Sequence, residues 1–311
     1  MAQITAALVK QLRDQTGAGM MDSKKALVEA DGDMEAAIDW LRSKGLSAAA
    51  KKSGRAAADG LVGALVSADG KTGALIELNA ETDFVARNEQ FQEAVRSIAT
   101  AALKTDGSLE ALQNAPSPDG DGSIDDMIKR MVATIGENMT LRRTAQLSVG
   151  EGAVAAYMHS SVADGLGKIG VLVALESSAS QDVLAEIGKK VAMHIAATSP
   201  QAASVDDLDP AIVEKEKVFL TEQARESGKP ENIIENMIKG RIKKFYKEVV
   251  LLEQAFVMNP DQSVAEFIEA EGKTAGTSIT LKAFQRISLG EGVEKKEEDF
   301  AAEVAAASGG A

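Results

Sequence analysis

The chain has 311 residues, enough for two or three compact units rather than a single core. Its 47 acidic against 34 basic side chains leave a formal charge of −13, which opposes a primary role on nucleic acid because phosphate binding draws on Lys and Arg. Cysteine is absent and His159 and His194 are the only histidines, so disulfides, thiolate metal sites and Cys nucleophiles are excluded and metal chemistry through His is poorly supplied. The first segment places Lys10 and Arg13 on an amphipathic pattern without a signal-peptide apolar run, and no stretch approaches membrane-spanning length. A soluble, cytoplasmic chain without membrane contact is expected.

Residues 1–45 predict three short helices. Leu8 and Leu12 share a face of the first and Leu27 and Ala30 mark the second, while Met34, Ile38 and Leu41 repeat at i, i+4 and i+7 on the third, capped by Asp33. Gly17, Gly19 and Gly32 supply the turns between them. The stretch 44–60 is rich in Ala, Lys and Gly with little periodicity and reads as a tether, on which the N-terminal unit docks independently. The pattern then changes to strand hairpins followed by helices, and it does so twice. Candidate strands at 60–67 and 72–79, joined by Asp69-Gly70, precede a helix at 89–103 with Phe91, Val95, Ile98 and Ala102 on one face. The Pro-, Asp- and Gly-dense stretch 115–122 is a surface loop, followed by a helix over about 123–138.

Candidate strands at 140–148, 152–159 and 168–175 precede a helix striped by Leu184, Ile187, Val191 and Ile195. Residues 210–252 read as two long helices broken at Ser227-Gly228-Lys229-Pro230, the second lined by Ile234, Ile238, Ile242, Phe245 and Val249. Such a hairpin buries its apolar stripe only by packing on the core or pairing with another copy. Residues 256–289 return to strand and short-helix patterns, and Phe300 and Val304 at i, i+4 mark a C-terminal helix. The expected fold class is α+β, with antiparallel sheets in two related halves. Its parts are a three-helix unit with linker at 1–54, a first core half at 55–139, a second half at 140–200 completed by 253–289, a helical hairpin inserted at 201–252, and a C-terminal helical module at 290–311.

The site candidate is the loop Glu81-Thr82-Asp83-Phe84-Val85-Ala86-Arg87-Asn88, a polar segment with one large aromatic, placed between a hairpin and a helix. Phe84 either closes the core or projects outward as a wedge, and average burial of Phe favours the first. The second half carries no equivalent loop. Three strings imitate nucleotide sites. Gly70-Lys71-Thr72 and Gly272-Lys273-Thr274 resemble the end of a P-loop, but the glycine required five positions earlier is Leu65 or Phe267, and apparent strand follows each. Gly165-Leu166-Gly167-Lys168-Ile169-Gly170 meets the dinucleotide spacing, yet a turn precedes it and a strand follows, so it reads as a flexible turn. His194 borders an apolar stripe and reads as structural, whereas His159 ends a strand and is a contact candidate. Lys239, Arg241, Lys243, Lys244 and Lys247 read as a solvated helix face. Met20 and Met21 suit core packing and an adaptable partner contact equally.

The strings NAETDFVARNEQF and VKQLRDQTGAGMMDSKKALVEADGDMEAAIDWLRSKG closely resemble the two signature segments of the bacterial translation elongation factor Ts family. The similarity continues through IGENMTLRR, GKIGVLVALE, VAMHIAA, ESGKPENIIENMIKGRIKKF and EGVEKKEEDFAAEVAA, and so covers nearly the whole chain. The resemblance implies a guanine-nucleotide exchange factor for the GTPase elongation factor Tu, with no covalent chemistry, no cofactor and no metal of its own. It implies an N-terminal unit of the ubiquitin-associated (UBA-like) type and a coiled-coil hairpin that makes a homodimer, giving a two-plus-two complex. It implies that Phe84 inserts between GTPase helices near the Mg²⁺ site while Asp83 holds loop or partner, with Thr82, Val85, Arg87 and Asn88 in the same contact loop. It further implies partner contacts by Leu12, Arg13, Met20 and Met21 in the N-terminal unit, by the C-terminal helix, and by His159 and Gly167 in the second half. The turn 160–166 departs from the family pattern, being longer and more polar than the tight His-Gly turn usual there. Ser23 stands where some relatives have Cys. The alternative function is a dimeric adaptor that binds another protein through the UBA-like unit; nucleotide or dinucleotide chemistry is opposed by the failed motif contexts.

Overall fold

The computed structural model describes residues 4–226 and 230–293. Three helices open the chain: α1 (Ala6–Thr16), α2 (Met20–Glu29) and α3 (Met34–Lys52). Thr5 and Asp33 cap α1 and α3 through their side chains, and α1 ends at Gly17 in the left-handed region, at φ 67°. Val9, Leu12, Ala26, Leu27 and Ala37 form their common core. The sequence suggests a tether from 44, but α3 continues as helix to Lys52. Ala and Lys are strong helix formers, and the stretch shows no apolar stripe because its buried positions are the small residues Gly45 and Ala49, one helical turn apart on one face. Ala49 joins the core beneath the first sheet, and a Cβ at Gly45 would stand 3.0 Å from that of Ala133.

The next elements are β1 (Asp59–Val66), β2 (Thr72–Ala80), a 3₁₀ turn at Val85–Arg87, α4 (Glu89–Ala102), α5 (Leu109–Asn114) and α6 (Ile124–Ile135). They are followed by β3 (Met139–Ser148), β4 (Gly152–His159), β5 (Leu166–Gly167), β6 (Ile169–Glu176) and α7 (Gln181–Thr198). The long helices α8 (Pro210–Glu226) and α9 (Glu231–Val249) come next, and β7 (Ala255–Phe256), β8 (Asn259–Ser263), α10 (Val264–Ala275) and β9 (Thr280–Ser288) complete the order. A four-stranded sheet runs β3-β2-β1-β5 and a three-stranded sheet runs β4-β6-β9, all neighbours antiparallel. Strand pairing therefore moves the boundary between the halves. The strand expected over 140–148 to open the second half is β3, which pairs with β2 along its length, and β5 from within the second half borders β1.

Both sheets are covered on both faces, which is why their central strands read as nearly unbroken apolar runs. Leu61, Ala74, Ile76 and Leu78 face α4 and α6 in one core. The alternate residues Val62 and Leu75 meet Val154, Leu172 and Ala174 of the other sheet in a second core. Val171, Val173 and Leu175 face α7 and α10 in a third. The result is four layers, helix, sheet, sheet and helix. Glycine lets the two sheets approach: a Cβ on Gly73 would lie 2.7 Å from Val154, and one on Gly170 would lie 2.8 Å from Val62. Fully buried Glu77 accepts from Arg142 and Arg143 of β3 and from the Gly290 N–H at 2.8 Å, tying the chain beyond β9 to the first sheet. Removing one partner from such a buried set typically costs about 3–5 kcal/mol.

The halves repeat each other in detail. Gly60, at φ 117°, opens β1 against Asn79, and Gly152, at φ 128°, opens β4 against Glu176. The next strand pair in each sheet then shifts register at matching places, with Arg142 of β3 as the extra residue opposite Glu77 and Leu78, and Lys282 of β9 opposite Ala174 and Leu175. Each half has a capping-box helix that ends at a left-handed glycine: α6 from Ser123 to Gly136, and α10 from Ser263 to Gly276. The N-cap backbone hydrogen bond in each box holds Asp126 and Glu266 below their ordinary carboxylate values. The long helices α8 and α9 and the β7–β8 ribbon are inserted between α7 and α10. Leu220, Ala224, Ile234 and Ile242 are buried along the two helices, while Val218, Phe219 and Ile233 remain exposed. Ser227, Gly228 and Lys229 of the expected break lie outside the described residues, as does the C-terminal helix with Phe300 and Val304.

Candidate functional site

Strand β2 delivers the chain to residues 81–88, and the loop is fastened at both ends. At its start, the Asn138 N–H donates to Glu81 Oε1 at 2.5 Å, and Thr82 donates to the Glu137 carboxylate through its backbone N–H at 3.0 Å and its hydroxyl at 2.8 Å. At its end, the Asn88 N–H donates to Val85 O, and Asn88 Oδ1 accepts the Phe91 N–H at 3.2 Å as N-cap of α4. Gln92 adds a bond to Ala86 O at 3.0 Å. Val85, at 5% exposure, and Ala86 sink into the first core. Phe84, one residue earlier and helical at φ −62°, stands at 73% exposure.

The core-closing reading of Phe84 is thereby overturned, because Val85, Ala86 and Phe91 fill the space beneath the loop. Other residues of the set change role. Val85 is buried and offers a partner no side-chain surface, the Thr82 hydroxyl is taken by Glu137, and the Asn88 side chain is taken by its cap. Asp83, Phe84 and Arg87 face outward together. Asp83 and Arg87 lie 3.6 Å apart as an exposed i,i+4 pair, an arrangement of little energetic weight. Glu137 escapes any sequence pattern, because its link to Thr82 spans 55 positions.

In the N-terminal unit, Leu12 is fully buried at the centre of the three-helix core, so it packs and makes no outward contact. Arg13, Met20 and Met21 are exposed, Met21 at 75%, and exposed Val28 was missed by the sequence pattern. His159 is exposed at the end of β4, with its Nδ1 3.2 Å from the Tyr157 hydroxyl. Gly167 lies beside it but is buried in β5, where a Cβ would stand 2.6 Å from Met158 Cγ, so it contributes close backbone approach and no surface. The longer turn 160–166 is internally bonded, by Val162 N–H to Leu166 O at 2.9 Å, and Gly165 O accepts from Ala64 of β1 at 2.9 Å.

None of the nucleotide-like strings opens a helix. Gly70-Lys71-Thr72 closes the β1–β2 turn, and Gly165 to Gly170 runs through β5 into β6. Gly272-Lys273-Thr274, expected before a strand, lies inside α10, where Gly272 packs against the backbone of Thr277. His194 is fully buried. Its Nδ1 accepts the Val257 N–H at 3.2 Å and its Nε2 donates to Gln254 Oε1 at 2.8 Å, which defines the neutral tautomer. Burial holds its pKa below the ordinary 6.5. Lys239, Lys243, Lys244 and Lys247 are exposed along α9, and Arg241 donates to Gln223. Among the described residues no helix is long and apolar enough to cross a membrane, and no cluster of three or more His, Asp or Glu has metal-binding geometry.

The described residues thus form an α+β frame with antiparallel sheets that carries one loop fastened at both ends. The family described as Elongation factor TS matches residues 81–291. Over 311 residues the chain is 64% identical to "Elongation factor Ts" of Hyphomonas neptunium, with 100% of both chains covered. It is 58% identical to "Elongation factor Ts" of Parvibaculum lavamentivorans over 310 residues, again 100% of each, and 57% identical to that of Caulobacter vibrioides over 311 residues, 99% of each. The chain belongs to the elongation factor Ts family and has a role in translation elongation.

Proposed function

We propose that the chain is a cytoplasmic guanine-nucleotide exchange factor that promotes GDP release from elongation factor Tu. The observation that supports this most directly is Phe84, 73% exposed on a loop fastened at both ends. An apolar ring kept in water by a rigid support is suited to insertion into a partner, since little ordering entropy is lost when it docks. In the family's arrangement it enters between GTPase helices near the Mg²⁺ and phosphate site, with Asp83 and Arg87 beside it. No bond is made or broken. The exchange factor binds a shape of the GTPase that disfavours GDP, and linkage makes the effect reciprocal: GDP weakens the complex by the same factor. A thousandfold effect corresponds to about 4 kcal/mol of coupling, which a few well-packed side chains supply.

Grip comes from elsewhere in this reading. Arg13, Met20 and Met21 of a UBA-like N-terminal unit contact the nucleotide-binding domain, as does the C-terminal segment, while exposed His159 contacts a second domain. The hairpin of α8 and α9 pairs two copies through a face that includes Val218 and Phe219, giving a two-plus-two complex. The second reading is a dimeric adaptor acting through the N-terminal unit, favoured by the exposed cluster of Met20, Met21 and Val28. The release rate of fluorescent GDP from elongation factor Tu under excess unlabelled GDP separates them. A large, saturable acceleration by this chain is expected, and binding without acceleration would leave the adaptor.

A further inference from the structure

We infer that Glu137 is a positioning residue for Phe84, its carboxylate fixing the loop in the conformation that holds the ring away from the core. This rests on the exchange-factor reading above. The carboxylate takes both the backbone N–H and the hydroxyl of Thr82, at 3.0 and 2.8 Å, and so sets the path of the chain and the Thr82 rotamer immediately before Asp83. Bonds to an ionised acceptor are stronger than neutral ones. On the far side, Val85 and Ala86 are anchored by burial in the first core. Between the two anchors lie Asp83 and Phe84, whose exposed ion pair to Arg87 is too weak to hold them. The polar clamp at Thr82, with the neighbouring Glu81 to Asn138 bond, is thus the upstream support of the ring. The clamp is itself held from the N-terminal side: Lys52 Nζ donates to Gly136 O at 2.6 Å, and Asn138 Nδ2 donates to Arg55 O at 2.7 Å.

The second half supplies an internal comparison. After α10 and its left-handed Gly276, Thr277 Oγ1 lies 2.9 Å from Ser178 Oγ, and Ser278 O accepts from Ser177 at 2.7 Å. This brace occupies the same place in the repeat as Glu137 after Gly136. There, however, the link from β6 to α7 is the short stretch 177–180, it carries no aromatic, and its polar side chains are the neutral hydroxyls of Ser177, Ser178 and Ser180. The carboxylate version stands where the link is longer and bears Phe84.

A double-mutant cycle in the full chain tests this, read as GDP release from elongation factor Tu alongside melting temperature and hydrogen exchange at the Thr82 amide. Glu137→Ala removes both acceptors and is expected to slow release about tenfold, the equivalent of one charge-assisted hydrogen bond, and to speed Thr82 exchange. Glu137→Gln keeps most of the rate, because its amide oxygen accepts from the Thr82 N–H and its amide nitrogen donates to the hydroxyl oxygen. In a Phe84→Ala background, Glu137→Ala costs less than about twofold more, since the ring it places is gone. The full tenfold loss in both backgrounds overturns the inference, as does a loss that tracks melting temperature in the Ala and Gln variants alike. If the unaltered chain fails to accelerate release, the exchange reading falls by itself, and unchanged Thr82 protection in Glu137→Ala would then overturn the clamp independently.

Discussion

Phe84 and Val85 are neighbours in the chain and opposites in environment, 73% and 5% exposed. Average burial of Phe misassigned the ring because the space under the loop is already filled by Val85, Ala86 and Phe91. An aromatic that gains its environment only in a complex is expected to act there. Phe84→Ala should slow GDP release by about a hundredfold, the scale of a 2–3 kcal/mol hot spot, while weakening the complex by less than about tenfold. Stopped-flow release and equilibrium titration check the two numbers, and equal losses would end the wedge mechanism. His194 behaves in the opposite way, because everything it does is internal. Its folded pKa lies below the ordinary 6.5, so the unfolded chain takes up the proton first. Its contribution is intact above about 6.5 and is lost as pH falls through the folded value. Urea midpoints measured from pH 7 to 5 should fall in the native chain, and the fall should be shallower in His194→Gln. The loop's position between hairpin and helix was legible in the residues, and its outward aromatic only through the family resemblance; Glu137 was not, because nothing local links it to a threonine 55 positions away.

At the scale of elements, periodicity located both hairpins, the helices after them and the two long inserted helices. It failed where the buried face is made of small residues rather than large apolar ones. Residues 44–52 looked like a tether and are helix, since Gly45 and Ala49 meet the first half of the core. Pairing partners were equally hidden: alternation along 139–148 is compatible with either sheet, and the register with β2 decides which. The matching glycines carry a sharper prediction. A Cβ at Gly60 would stand 2.2 Å from Leu78 O, and one at Gly152 would stand 2.0 Å from Leu175 O, each at positive φ. Gly60→Ala and Gly152→Ala should each destabilise by about 2 kcal/mol or more. A lower urea midpoint at unchanged slope is the expected signature. An unaffected midpoint in either would show that the strand start relaxes freely.

At the scale of the molecule, mixed α and β content and antiparallel sheets followed from the order of strand and helix patterns. The face-to-face stacking of the two sheets did not, because a strand buried on both faces has no alternation to reveal what covers it. The nucleotide-like strings lie in a turn, within a helix and across two strands, so GDP or GTP should leave the melting temperature of the isolated chain unchanged. A concentration-dependent rise would require a site on this chain and would revive the enzyme reading.

Helix α3 has a consequence for distance. At 19 residues it is a rod about 28 Å long, beginning inside the N-terminal unit and ending at Lys52, whose ammonium grips Gly136, next to the residue that clamps Thr82. A continuous rod works as a gauge: it sets the span between the exposed methionines of α2 and the ring at Phe84, much as the arm of a caliper sets its jaws. Under the function proposed above, a partner whose two contact points match that span is engaged at both without stretching a linker.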